Sequence, residues 1–405
     1  MTTHNPIEYA NSLSSKLATR ERHVCTFLGA GAASACGLSD VSALQREVLS
    51  ELSTKHAAAF ENQLAENELE DALSRIRSIS ALVNEGQSLD DLTAEDAAAL
   101  DEAICREIVQ ALDIEQADID PMLYFATWAA RGDYHRPVEV FTVNYDLLLE
   151  TAFEKVGARY FDGFVGNLNA RFQTELVERT KGANGDEIPS SFVRLWKVHG
   201  SINWVRKDGD IVRVGQEAEE SAAAIYPSDR KYEESRRVPF LALQDRFRRA
   251  LHEDETILII SGYGFGDQHL NEIIFEAATR CKRSEFIAFC YSEIPEKLAE
   301  RAEKIPNIQA IGPHEAIIGG NRGEWETPRD ETENGDLVWK DGKMALRDFR
   351  NLSKYLARNL SVETQRRSET MEEQLAEMLS ETDEEGSFDE SIEEDEISRF
   401  GESNV

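Results

Sequence analysis

The sequence predicts an α/β fold: a Rossmann-like, mostly parallel sheet with helices on both faces, plus a helical subdomain and a C-terminal extension. Three observations carry this. Short runs are mostly apolar, as in strands buried on both faces: Val24–Leu28, VEVFTV at 138–143, Phe192–Val198, TILIIS at 256–261 and EFIAFCY at 285–291. Helical stretches separate the runs, which is the pattern of crossover connections. Glycine or polar turn residues follow four of the runs directly, at the strand ends where open α/β sheets bind ligands.

In chain order, residues 5–20 fit a short helix with Leu13 and Leu17 on one face. Val24–Leu28 then runs into a Gly/Ala-rich turn. Residues 42–130 have helical periodicity (Leu44, Val48 and Leu49; Ile104, Ile108 and Leu112), which places a helical insertion at about 42–135. The strand at 138–143 leads into a helix over NYDLLLETAFEKVG. Residues 160–190 and 205–235 are polar, with several Gly and Pro, and read as connecting loops or a small inserted subdomain. A helix over 238–251, the strand at 256–261, a turn into a helix, the strand at 285–291 and a short last strand at 308–311 complete a domain over 1–315. Beyond it, Lys340-Asp341-Gly342-Lys343 signals a hairpin, and helical stretches at 345–360 and 363–380 complete an extension over 316–380. Residues 381–405 are rich in Glu, Asp and Ser, and their composition predicts an acidic disordered tail.

Composition narrows the function. The net charge is −33, and residues 361–405 hold 16 acidic and 3 basic side chains. Phosphate-backbone binding relies on Lys and Arg displacing counterions, so direct nucleic-acid binding is disfavoured. No run of about 18 apolar residues suggests a membrane span, and MTTHNPIEYANSL has neither the basic nor the apolar region of a signal peptide. The five cysteines form no CxxC pair, which excludes a ribbon-type zinc site and fits a reducing, cytoplasmic location. No metal is expected.

Four strand ends carry candidate chemistry. Gly29-Ala30-Gly31 permits close approach of backbone to a ligand and leads towards a helix N-terminus, though the same glycines serve a ligand-free turn. Ser34 stands where the six-residue dehydrogenase fingerprint requires Gly or Ala. Thr142-Val143-Asn144-Tyr145-Asp146 offers polar groups that also suit helix capping. Lys197-Val198-His199-Gly200-Ser201 places a histidine beside a glycine. Ser261-Gly262-Tyr263-Gly264-Phe265-Gly266-Asp267 spaces three glycines at alternate positions. Independent turns have no reason to gather all these on one sheet edge.

Taken together, FLGAGAASACGLSD, FTVNYDLLLE, LWKVHGSINW and SGYGFGDQHLN resemble the sirtuin-like family, over about residues 20–315. Within it, the chain looks most like the bacterial NAD-hydrolysing branch of anti-phage defence, and there like the subunit that pairs with a HerA-type ATPase. The resemblance implies NAD as substrate, cleaved to nicotinamide and ADP-ribose in abortive defence, with a homo-oligomer and a hexameric ATPase as partners. It implies that Gly29, Ala30 and Gly31 form the phosphate loop, with Ser34, Asp40 and Thr142 nearby. By the same resemblance, Asn144 and Asp146 are expected to hold the nicotinamide side and its ribose, with His199 as the catalytic histidine. Gly262, Gly264, Gly266 and Asp267 are expected to belong to a later phosphate- and ribose-facing loop. The chain departs from the pattern at Ala33 and Ser39, where many members have Ser and Pro, and no Arg closely follows Asp40. The four zinc cysteines of the protein deacylases are absent, which counts against deacylation. A deacylase or ADP-ribosyl transferase is the alternative enzyme, and an NAD- or ADP-ribose-sensing scaffold the non-enzymatic alternative.

Overall fold

Six apolar runs become the parallel strands of one sheet in a computed structural model of the chain. It describes residues 2–178, 189, 192–328 and 335–360, apart from 66–68, 85, 133, 208–209, 216–222 and 226–238. The proposed helix at 363–380 and the acidic tail therefore lie outside the described residues. The six strands are β1 (His23–Leu28), β2 (Glu139–Thr142), β3 (Val193–Lys197), β4 (Thr256–Ser261), β5 (Glu285–Phe289) and β6 (Ile308–Ile311). Their order across the sheet is β6-β5-β4-β1-β2-β3, and every neighbouring pair is parallel. This is the doubly wound order, and its direction reverses between β1 and β4. Short strands extend both edges. Glu315–Ile318 and Asn321–Trp325 continue antiparallel beyond β6, Thr2–His4 closes that edge, and Tyr160–Phe161 lies outside β3.

The register levels the strand ends. Ile311, Phe289, Ser261, Leu28, Thr142 and Lys197 are successive partners in one transverse row. The loops after all six strands therefore leave the sheet at the same height.

Both faces are covered, as runs of buried residues require. On one face, Phe27, Phe141, Trp196, Leu258 and Phe286 pack with side chains of three helices, Phe240–Leu251, Gln268–Arg280 and Glu296–Lys304. The opposite face carries Pro6–Ala18 and Asp120–Arg131, with a helix at 349–360. These elements are tied by Tyr134 Oη to the Leu17 carbonyl at 3.0 Å and by the Phe125 and Phe349 rings at 5.7 Å. The predicted helical region holds five helices between Val41 and Arg131. Four of them build a second core, with Val48, Phe60, Leu73 and Ile104 one from each, which also takes in Tyr145 and Ile202.

The polar stretches after 160 form a five-stranded antiparallel sheet from Phe164–Val165, Ala170–Phe172, Gly200–Lys207, Asp210–Arg213 and Ala223–Ile225. Only Val198 and His199 separate β3 from its longest strand. Trp339–Lys340 and Lys343–Met344 pair as the predicted hairpin. The first compact unit runs from Met1 to Asn359. No helix among the described residues is long and apolar enough to cross a membrane.

Candidate active site

Two glycine loops meet at the reversal point of the sheet. The Gly29 N–H donates to the Ser261 carbonyl at 3.0 Å and the Gly31 N–H to the Gly262 carbonyl at 2.9 Å. A Cβ on Gly29 would lie 2.5 Å from the Gly262 oxygen, and one on Gly262 2.3 Å from the Ala32 nitrogen. Gly262 also has φ +68°, where side chains are strained. The glycines are thus required by loop-on-loop packing. The N–H groups of Gly29 and Gly31 are themselves spent on carbonyls.

Beside this contact lies a cavity of about 500 Å³. Five of the expected residues line it: Gly31, Ser34, Asp40, Gly262 and Gly264. Asp40 also caps the helix Val41–Glu51 through the Ala43 N–H at 2.8 Å. The other wall was not foreseen. It includes Tyr291, just after β5, and Arg347 and Arg350 from the C-terminal extension. The Arg347 guanidinium stacks 4.6 Å above the Tyr291 ring, and Arg350 pairs with Asp118 at 2.5 Å. Gly29, Ala30, Thr142, Gly266 and Asp267 are not on the cavity wall.

Asn144 and His199 stand on the other side of the reversal point. Each lies two residues beyond the paired ends Thr142 and Lys197 of β2 and β3. Thr142 is fully buried, with its hydroxyl donating to the Leu28 carbonyl at 2.9 Å and accepting the Asn144 N–H at 3.0 Å. It shapes the turn that presents Asn144. The Asn144 side-chain amide donates to the Gly29 carbonyl at 3.1 Å. Tyr145 is buried in the helical core, so the turn is clamped between both subdomains.

Lys197 is the group that sequence reasoning passed over. Its ammonium is buried, 2.8 Å from Glu150 and 2.8 Å from the Ser201 hydroxyl, and it also donates to the Asp146 carbonyl. It stitches the turn after β2 to the turn after β3. The available signal was a lysine, with Arg194, inside a mostly apolar run. Asp146 accepts the Leu148 N–H at 3.0 Å. Burial pushes its carboxyl pKa above the usual range, against the opposing pull of Lys197 and that N–H.

His199 is held at the joint of the two sheets. Gly200, with φ +93°, makes the turn into the small sheet. His199 is buried, with Nε2 3.2 Å from Asp267 Oδ2, and Nδ1 is buried with no hydrogen-bond partner. Asp267 also caps the helix Gln268–Arg280, accepting the Leu270 N–H at 3.0 Å. Burial raises the Asp267 pKa, but the His199 contact and the helix N–H groups outweigh it and hold the carboxyl below its ordinary value.

Among the described residues, His23, Glu139 and Glu253 form the one cluster with metal-ligand chemistry. It lies at the opposite ends of the strands. The Arg246 guanidinium already pairs with Glu139 there, His23 is 2.9 Å from Glu139, and Trp196 donates to it at 2.7 Å. A cation would have to displace a buried arginine, so the cluster reads as a structural ion pair.

Residues 138–311 match the family model of the SIR2-like domain. The match takes in Asn144, Asp146, His199 and the loop Gly262–Asp267, and leaves Gly29–Gly31 outside. Among solved structures, a Sir2 homologue mutant in complex with 2′-O-acetyl ADP ribose is 12% identical with a TM-score of 0.43, covering 86% of this chain and 96% of that one. A Sir2 homologue mutant with ADP ribose is 11% identical with a TM-score of 0.42, covering 87% of this chain and 97% of that one. No curated protein matches the chain.

Proposed function

We propose that the SIR2-like site binds NAD and cleaves its nicotinamide–ribose bond, giving nicotinamide and ADP-ribose. One observation carries this reading: Asn144 and His199 end neighbouring strands at the same level, beside a glycine-walled cavity at the reversal point of a doubly wound sheet. An extended dinucleotide fits such a crevice. Its adenosine half occupies the cavity bounded by Gly31, Asp40 and Tyr291, and its nicotinamide half lies towards Asn144 and His199. Residues 1–315 form the catalytic domain, and Arg347 and Arg350 of the extension over 316–380 add to its cavity wall.

Breaking the bond builds oxocarbenium character on the ribose, as in glycoside cleavage. Nicotinamide leaves as a neutral molecule and needs no strong acid. The site's work is orientation and stabilisation of positive charge. Asn144, fixed by the Gly29 carbonyl, orients water or the ribose hydroxyls. His199 takes the proton released as water adds to the ribose. Asp146 contributes through the shape of its turn and its negative field.

Depleting NAD arrests a cell, which suits abortive anti-phage defence in the cytoplasm. The proposed partners are further copies of this chain and a HerA-type hexameric ATPase. Incubating the purified protein with NAD and separating the products tests the chemistry. Nicotinamide and ADP-ribose formed without an acyl substrate support hydrolysis. Product only with an acylated peptide supports deacylation, and binding without turnover supports a sensing scaffold. Light scattering with and without the ATPase tests the assembly, and a monomer in both cases excludes it.

A further inference from the structure

The carboxylate of Asp267 does two things that constrain His199. Its Oδ1 caps the helix Gln268–Arg280 through the Leu270 N–H, and its Oδ2 faces His199 Nε2 at 3.2 Å. The loop that delivers it is braced. The Tyr263 hydroxyl lies 3.2 Å from the Asp267 carbonyl and 2.9 Å from Asn271 Oδ1. Phe265 holds an unusual φ of +57°, fixed by Asn271 donating to its carbonyl at 2.8 Å and by the Tyr263 ring 4.9 Å away. A non-glycine residue in this conformation persists only where its surroundings over-determine it. The carboxylate is therefore positioned in advance.

A carboxylate only accepts hydrogen bonds, and a neutral imidazole carries one N–H. With Oδ2 against Nε2, the proton sits on Nε2 and the lone pair on Nδ1. Nδ1 is the buried nitrogen that no protein group meets. An orphaned polar atom inside a candidate site marks where a ligand group belongs.

We propose that Asp267 is a positioning residue which locks His199 in the Nε2–H tautomer, so that Nδ1 is the atom that accepts the proton. The proposal rests on the reading of His199 as the base in NAD cleavage. The C–N bond of the nicotinamide ribose breaks with its electron pair going to nicotinamide. A water oxygen bonds to the ribose carbon, its proton passes to Nδ1, and Asp267 stabilises the imidazolium until that proton leaves to solvent. The sequence placed Asp267 in a ribose-facing loop; the structure joins it to the histidine.

Asp267→Asn tests this. Asn keeps an oxygen for the Leu270 N–H, and Asn is as good a helix cap as Asp. Its amide donates towards Nε2, which moves the imidazole proton to Nδ1. The full-length protein labelled with ¹⁵N-histidine is compared with His199→Ala, to assign one ring among eight histidines. Expected are an Nε2–H tautomer in wild type and an Nδ1–H tautomer in Asp267→Asn. With the variant, kcat for NAD falls on the order of 10²-fold or more, while KM stays within about twofold. Asp267→Ser, which keeps the cap and offers no carboxylate, should fall similarly in kcat. A wild-type Nδ1–H tautomer, or an Asp267→Asn variant with wild-type kcat, overturns the proposal. The wild-type tautomer is read whether or not the Asp267 variants fold. If NAD is not cleaved at all, the proposed function fails, while the spectra still decide the Asp267–His199 pairing.

Discussion

The side-chain amide of Asn144 donates to the carbonyl of Gly29 at 3.1 Å, joining the turn after β2 to the glycine loop after β1. This bond fixes the plane of the amide and, in the proposed mechanism, leaves its oxygen to act on substrate. Asn144→Ala should reduce NAD cleavage by roughly 10²-fold or more, as loss of a preorganised polar group does. His199→Ala should do the same. Product chromatography with circular dichroism checks both, and near wild-type turnover by a folded His199→Ala protein would remove it from the mechanism.

Gly262→Ala puts a methyl group 2.3 Å from the Ala32 nitrogen at a residue with φ +68°. The strained backbone alone costs about 1–3 kcal/mol, and relief of the clash has to part the two loops. Gly29→Ala strikes the same contact from the other side. Denaturant unfolding should show both variants destabilised. Because they break one interface, the double variant should lose less than the two single losses combined.

Asp146→Asn separates two roles. Asn keeps the oxygen that accepts the Leu148 N–H and removes a carboxylate whose pKa burial has raised. A raised carboxyl pKa means the folded state resists ionising, so this group's contribution to stability falls as pH rises from the unfolded value, about 3.9, towards the folded one. Asp146→Asn should therefore lose less stability than wild type over that interval. If Asp146 stabilises the ribose cation, kcat falls although the fold is retained. Unchanged kcat would confine Asp146 to shaping its turn.

Glu139 has the opposite sign. Burial opposes its ionisation, but Arg246 and His23 hold its carboxyl well below the usual range. Its contribution is complete above the unfolded value of about 4.3 and is lost as pH falls through the folded value. Glu139→Ala leaves Arg246 buried without its main partner and should cost about 3–5 kcal/mol at neutral pH. The penalty should shrink in acid. Urea unfolding at pH 7 and below pH 4 checks both, and an equal penalty at both would refute the assignment.

The six core strands were legible because each is apolar on both faces, and no other local pattern matches a doubly wound sheet so well. Their order was not legible, since a crossover leaves no trace in the strands it joins. The small sheet was read only as loops or a subdomain: Phe164–Val165 and Ala170–Phe172 are too short to show alternation. Asn144, His199 and Asp267 were legible as residues at strand ends, but the bond between His199 and Asp267 spans 68 positions. Lys197 and Glu139 were hidden inside apolar runs, because burial of a charge depends on partners such as Glu150 and Arg246 that lie far along the chain. The cavity wall at Arg347 and Arg350 was missed for a related reason. Helical periodicity says where a helix forms, not what it covers.

The central position of β1 has a consequence for the time at which the protein becomes whole. β1 is the earliest of the six core strands in the chain, yet one of its two neighbours is β4, and His23 meets Thr256 across 233 residues. At about 5–20 residues per second, a ribosome takes roughly 10–50 s to supply that neighbour. Throughout that interval an apolar strand with at least one unpaired edge has to be kept from other chains. Closure of the cavity comes later still, because Arg347 and Arg350 on its wall follow all six core strands in the chain. A polypeptide interrupted before Arg347 therefore contains β1, Asn144 and His199 but lacks the Arg347 and Arg350 side of the cavity wall.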